Sequence, residues 1–145
     1  MIGLLQRVSQ GWVEIDGERV GEVGRGLVVL VGVQPEDTPE LARNLIDRLL
    51  NYRVFSDDAG KMNLSLADIA GGLLLVPQFT LAADTTRGRR PSFSTAAPPE
   101  LGKTLFEAGV EYAQSNHDPV QCGRFGEDMQ VGLVNDGPVT FVLDG

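Results

Sequence analysis

Leu27-Val28-Val29-Leu30-Val31 is apolar at every position, so a strand built from it has two faces to cover and no wet one. Such a run belongs in the middle of a sheet. Gly24 and Gly26 punctuate its approach, and the polar residues 34–37 close it. The longest apolar stretches, residues 27–33 and 73–77, fall far short of the about 20 residues a membrane-crossing helix needs. No membrane span is expected.

The pattern around this strand is mixed. Residues 2–8 and 12–15 read as strands, with Trp12, Glu14 and Asp16 alternating with Val13 and Ile15 in the second. Asp16-Gly17 signals a two-residue hairpin, because such a turn needs positive φ at its centre, and residues 19–23 supply the return strand. Thr38-Pro39-Glu40 reads as N-cap, first helical residue and dipole-complementing acid of a helix reaching to Tyr52. Leu41, Leu45, Ile46 and Leu49 form its apolar stripe. Arg53-Val54-Phe55 reads as a short strand and residues 56–61 as a polar turn. Gly71-Gly72 then release a strand over residues 73–81 that carries Gln78-Phe79-Thr80. A second helix is expected from Pro98-Pro99-Glu100 to Asn116. Strands at 120–124, 129–134 and 139–143 follow, the last two read as a hairpin. With no repeat, low-complexity segment or linker, residues 1–145 form one domain. The expected fold is a compact single α/β domain with a mixed, mostly antiparallel sheet and two main helices.

Hydrophobic residues at 42% and charged residues at 22% support a packed core and exclude disorder. The formal net charge of −8 argues against broad non-specific binding to nucleic acid, whose affinity comes from cations on phosphates. Arg87, Arg89 and Arg90 form the only dense basic cluster, in a loop marked by Gly88 and Pro91. Two readings of it stand open, a solvated loop and a local nucleic-acid contact. Residues 1–8 show neither a basic leader nor a small-residue cleavage site, so a cytoplasmic protein is expected.

The single Cys122 cannot close an internal disulfide and has no Cys or His neighbours to make a zinc site. Asp57-Asp58 lacks the twelve-residue calcium-loop pattern, so no metal is expected. The sole histidine, His117, follows a helix in a polar run where it suits the dipole, which leaves a Ser-His-Asp or Cys-His nucleophilic site unsupported. The glycines form neither dinucleotide nor P-loop patterns. What remains is a site built chiefly from backbone groups, which a chain offers wherever a strand ends or leaves its ladder. Read alone, Thr80 is a β-branched residue that suits a strand, and Gln78 and Phe79 demand no chemistry either.

Asn135-Asp136-Gly137-Pro138-Val139-Thr140 sets a Gly-Pro pair between strand-like runs, which marks a turn with a task. Together with the segment Gln78 through Thr85 and with Arg90-Pro91-Ser92-Phe93, it resembles the D-aminoacyl-tRNA deacylase family. Leu5-Gln6-Arg7-Val8, Gly60-Lys61-Met62-Asn63, Gly123-Arg124-Phe125 and residues 128–140 extend the resemblance over nearly the whole chain. It implies a homodimer and a chiral-proofreading enzyme, free of cofactor and metal. The reaction implied is hydrolysis of the ester joining a D-amino acid, or mischarged glycine, to tRNA.

By that resemblance, backbone N–H groups at Phe79 and Thr80 in the Gln78-Phe79-Thr80 motif would stabilise the developing oxyanion, one such donor typically supplying about 3 kcal/mol. The substrate's own 2′-hydroxyl would orient water, so no protein base is needed. A cis Gly137-Pro138 bond would aim flanking carbonyls at the substrate ammonium inside the partner subunit's site. An L side chain collides with those carbonyls and a D side chain points away. Arg7 is implied to hold the motif, although as a residue it also reads as a strand-edge charge. The family pattern has Ser before Gln-Phe-Thr, whereas this chain has Pro77, which removes a hydroxyl and a backbone donor.

Overall fold

The computed structural model describes residues 1–145. Along the chain run β1 (Ile2–Ile15), β2 (Glu18–Val23), β3 (Gly26–Gly32), α1 (Pro39–Asn51), β4 (Phe55–Ser56), β5 (Met62–Leu64) and α2 (Leu66–Ile69). They are followed by β6 (Gly72–Pro77), a 3₁₀ turn (Phe79–Ala82), α3 (Pro99–Asn116), β7 (Val120–Cys122) and β8 (Gln130–Asp144). The main sheet has the order β2-β1-β3-β6-β7, with β8 along the other edge of β1. β1 pairs antiparallel with β2, β3 and β8, whereas β3–β6 and β6–β7 are parallel. This is the mixed, mostly antiparallel α/β architecture expected, with α1 and α3 as its main helices. No helix is long and apolar enough to cross a membrane.

The apolar run is the middle strand, and its alternate residues enter two cores. Leu27, Val29 and Val31 join a cluster with Leu5, Leu73 and Leu75 beneath Leu45 and Leu49 of α1 and Leu105 of α3. Val28 faces the other way, packing with Val8, Val13, Val23, Leu74 and Val76. β2 closes that second side by curling over β6 and β7. A Cβ on Gly21 would stand 3.2 Å from the Cys122 carbonyl and 3.3 Å from the Leu74 side chain.

Local signals account for the ends of several elements. Thr38 caps α1, its hydroxyl accepting the Leu41 N–H at 3.2 Å. Ser65 and Asp68 form a reciprocal capping box on α2, with bonds of 3.1 and 2.8 Å.

Several sequence expectations are corrected. Residues 2–8 and 12–15 are one continuous strand, because β1 is long enough to pair with β3 through its first half and β2 through its second. The strand expected at 73–81 stops at Pro77. Gln78 N–H closes a last bond to the Val31 carbonyl at 2.8 Å, and the chain then turns. The short strand expected at 53–55 lies at Phe55–Ser56 and pairs with β5, and the strand expected at 120–124 ends at Cys122. The expected C-terminal hairpin is instead the single strand β8, both halves of which pair with β1.

Candidate active site

Where the parallel strands β3 and β6 end, a cavity of about 640 Å³ opens. Strand ends of this kind are where backbone groups leave their ladder and loops diverge. Val31, Val76, Pro77, Ala97, Phe106, Phe125 and Met129 are among its apolar walls, and Gln78, Phe79 and the exposed acids Glu127 and Asp128 also line it. Two glycines let these parts meet. A Cβ on Gly32 would come within 3.2 Å of Leu81 Cβ and 3.3 Å of the Gln78 carbonyl, so the 3₁₀ turn rests directly on the end of β3. A Cβ on Gly123 would stand 2.8 Å from Met129 Sδ and 3.3 Å from Pro77 Cδ.

The turn's own bonding begins with Leu81 N–H to the Gln78 carbonyl at 3.1 Å. The N–H groups of Phe79 and Thr80 precede it and are not consumed by the turn. The Gln78 side-chain amide donates to the Thr80 hydroxyl; Thr80 itself is exposed and does not line the cavity. Phe79 packs against Phe93 with ring centroids 5.2 Å apart, which brings the Arg90-Pro91-Ser92-Phe93 motif beside the Gln78-Phe79-Thr80 motif. Asp84 and Ser92 exchange backbone bonds of 2.8 and 2.9 Å. The Thr86 hydroxyl and N–H hold the Asp84 carboxyl below the usual carboxylate range.

Arg7, Gly137 and Pro138 form a second constellation that does not line this cavity. Gln6 pairs with Thr140 and Val8 with Asn135, so between those pairs β1 has Arg7 alone and β8 has Asp136, Gly137, Pro138 and Val139. The four residues bulge out, with Gly137 and Pro138 exposed. Arg7 spans the bulge. Its Nε donates to the Asp136 carbonyl at 2.9 Å, and one terminal nitrogen donates to the Val54 carbonyl at 2.8 Å. Asn135 closes the base, its Oδ1 accepting the Val139 N–H at 3.0 Å and its amide donating to the Thr140 hydroxyl at 2.9 Å. The Gly137-Pro138 peptide is cis. Gly137 has φ of +140°, and a Cβ there would lie 2.7 Å from Val139 Cγ2, so no other residue fits without strain.

Other chemistry-bearing side chains stand apart. The His117 ring donates from Nε2 to the Gly71 carbonyl at 2.6 Å, a structural link between the end of α3 and the start of β6. Burial pushes the Cys122 thiol up from its ordinary value. No group of three or more His, Cys, Asp or Glu residues is placed to hold a metal ion. Sequence reasoning set Phe125, Met129, Asn135 and Thr140 inside the family motifs but gave them no part in a cavity wall or a clamp, and it missed Phe106 altogether. An Asn and a Thr flanking Gly-Pro is the one local signal for that clamp.

Comparison with known proteins places the chain. The sequence model of the D-Tyr-tRNA(Tyr) deacylase family matches residues 4–144. A protein from Pseudomonas fluorescens (strain SBW25) named D-aminoacyl-tRNA deacylase is 68% identical over 143 residues, 99% of each chain. One of the same name from Pseudomonas putida (strain W619) is 66% identical over 143 residues, again 99% of each. Among solved structures, one titled c-Myc DNA Unwinding Element Binding Protein superposes with a TM-score of 0.95 at 36% identity, covering 100% of this chain and 99% of the other. A probable eukaryotic D-amino acid tRNA deacylase shares the fold, with a TM-score of 0.83 at 20% identity over 99% and 98% of the two chains. The chain belongs to the D-Tyr-tRNA(Tyr) deacylase family.

Proposed function

We propose that this protein hydrolyses the ester of D-aminoacyl-tRNA, releasing D-amino acid and tRNA. The observation that carries the reading is the likeness, along 99% of the chain, to proteins named for that reaction. An aminoacyl ester beside a protonated amine is already activated, so positioning and charge stabilisation suffice without a protein base. In this reading the apolar cavity takes the terminal adenosine of the tRNA. The free N–H groups of Phe79 and Thr80 face the ester oxygen, and the substrate 2′-hydroxyl orients water. Pro77, at the position of the family's serine, brings no hydroxyl, which fits a reaction that asks no nucleophile of the protein.

Chirality is judged at Gly137-Pro138. Carbonyls of the bulge accept the substrate ammonium, an L side chain is driven into them, and a D side chain or the hydrogen of glycine is not. Mischarged glycyl-tRNA is therefore a second substrate. Because the bulge is exposed and does not line its own chain's cavity, it serves the cavity of a second copy, which makes the protein a homodimer. The β8 edge supports pairing: Val134, Phe141 and Val142 are 45%, 39% and 62% exposed on a strand with one edge unpaired. An enzyme acting on tRNA is placed in the cytoplasm.

Incubation with D-Tyr-tRNA and L-Tyr-tRNA tests the reading. The D ester decays and the L ester persists; equal decay of both, or of neither, ends it. A second reading, nucleic-acid binding without hydrolysis, is favoured by the likeness to the structure titled as a DNA-element-binding protein. Binding of tRNA with no turnover of either ester would establish it.

A further inference from the structure

We propose that the loop carrying Arg87, Arg89 and Arg90 is a docking surface for the sugar-phosphate backbone of tRNA next to the ester-bearing end. The assignment rests on the tRNA reading above. Three of the chain's twelve lysines and arginines stand within four residues, in a molecule of net charge −8, and all three are exposed. Four of the nine cations elsewhere meet local acids: Arg7 faces Asp136, Arg19 faces Glu14 and Glu22, Lys103 faces Glu107 and Arg124 faces Glu127; the other five, Arg25, Arg43, Arg48, Arg53 and Lys61, are scattered singly. The loop arginines take part in no ion pair.

The loop has a fixed base. Asp84 and Ser92 bridge its two ends, and the Asp84 carboxylate accepts the Thr86 N–H at 2.9 Å and the Thr86 hydroxyl at 2.6 Å. That base adjoins the candidate site, since Phe93, next to Ser92, packs on Phe79 of the cavity lining. Arg90 is two residues from Ser92, so its Cα lies within about 7 Å of the anchor by chain reach. Unpaired guanidinium groups match phosphate oxygens with two parallel hydrogen bonds each. On a protein whose overall field repels a polyanion, one cationic patch beside the cavity also sets the approach of the strand that carries the ester.

Binding of uncharged tRNA as a function of salt tests this without requiring turnover. The variants are R87A/R89A/R90A, R87K/R89K/R90K and, as a control on α1, R43A. Each phosphate contact adds about 0.7–0.9 to the slope of log affinity against log salt, so the alanine variant should lower the slope by about 2 to 3. The lysine variant should keep the slope, because the charge remains, and R43A should match the wild type. An unchanged slope in the alanine variant overturns the proposal. So does a wild-type protein whose tRNA binding ignores salt, or one that takes poly-glutamate as tightly as tRNA, which would assign the loop to an acidic peptide. A fall of the alanine variant to monomers in sedimentation also overturns it, by assigning the loop to a subunit contact. A salt slope that behaves as expected beside absent D/L discrimination would fail the hydrolytic reading alone; intact discrimination with a flat slope would fail this proposal alone.

Discussion

Arg7 reaches two separate carbonyls with one planar fork, those of Asp136 and Val54, and its side chain is only 15% exposed. A lysine keeps the charge but cannot span both acceptors in that fixed geometry. Arg7→Lys should therefore cut D-Tyr-tRNA hydrolysis by about 100-fold, the scale of a 1 Å misplacement of binding groups, with little change in melting temperature. Gly137→Ala acts on the same bulge through φ and space, and should cost about 1–3 kcal/mol of stability as well as most of the activity. Thr80→Ala should lose less than about tenfold, because the donors assigned to the oxyanion are backbone N–H groups that survive the change. Single-turnover deacylation measured alongside thermal melts checks all three. These positions were legible through resemblance rather than propensity: nothing in the β-branching of Thr80 distinguishes it from a strand residue. Phe106 was not legible at all, and Phe125 and Met129 were legible only as members of family motifs, since apolar side chains from distant segments become a wall only after the chain has folded.

Elements whose limits depend on neighbours in sequence were read well, and those that depend on a distant partner were not. Asp16-Gly17 and the Thr38 cap lie where their local chemistry puts them, with Asp16 and Gly17 at φ of 51° and 80°. β8 was read as a hairpin because a Gly-Pro pair ordinarily reverses a chain; the ladder with β1, more than a hundred residues earlier, overrides that preference. The capping box of α2 was legible in principle, and it carries a prediction. Ser65→Ala removes the acceptor of the Asp68 N–H and should cost about 1 kcal/mol in urea unfolding. Acid should act on the same loops. Hydrogen bonds from Asn63 to Asp57, from Ser65 to Asp68 and from Thr86 to Asp84 hold each carboxyl below its ordinary value of 3.8. A carboxyl lowered on folding stabilises above its unfolded pKa and ceases to as pH falls through its folded one. The urea midpoint should thus drop as pH falls through and below 3.8, and Asp68→Asn should shallow that drop.

At the scale of the whole molecule, the reading demands that each site be shared. Ala97→Trp fills the cavity of its own chain, and Gly137→Ala spoils only the bulge offered to the other copy. Each variant alone should be nearly inactive. Mixed under conditions that exchange subunits, they should recover about a quarter of wild-type activity, because half the dimers are mixed and each mixed dimer holds one intact composite site of two. No recovery on verified exchange would place both functions within one chain. The bulge has a further effect on the molecule that bears it. Leu133 and Leu143 are ten positions apart and in an unbroken strand would project to the same side, yet Leu133 packs against the cluster under β2 while Leu143 lies in the one beneath the helices. The five steps from Asn135 to Thr140, set against two on β1, invert the parity of the strand midway. Straightened at its present length into ordinary alternation, this segment would turn Leu143 away from the helices, so the stretch proposed to tell one mirror image from another also tells the chain's end which side is in.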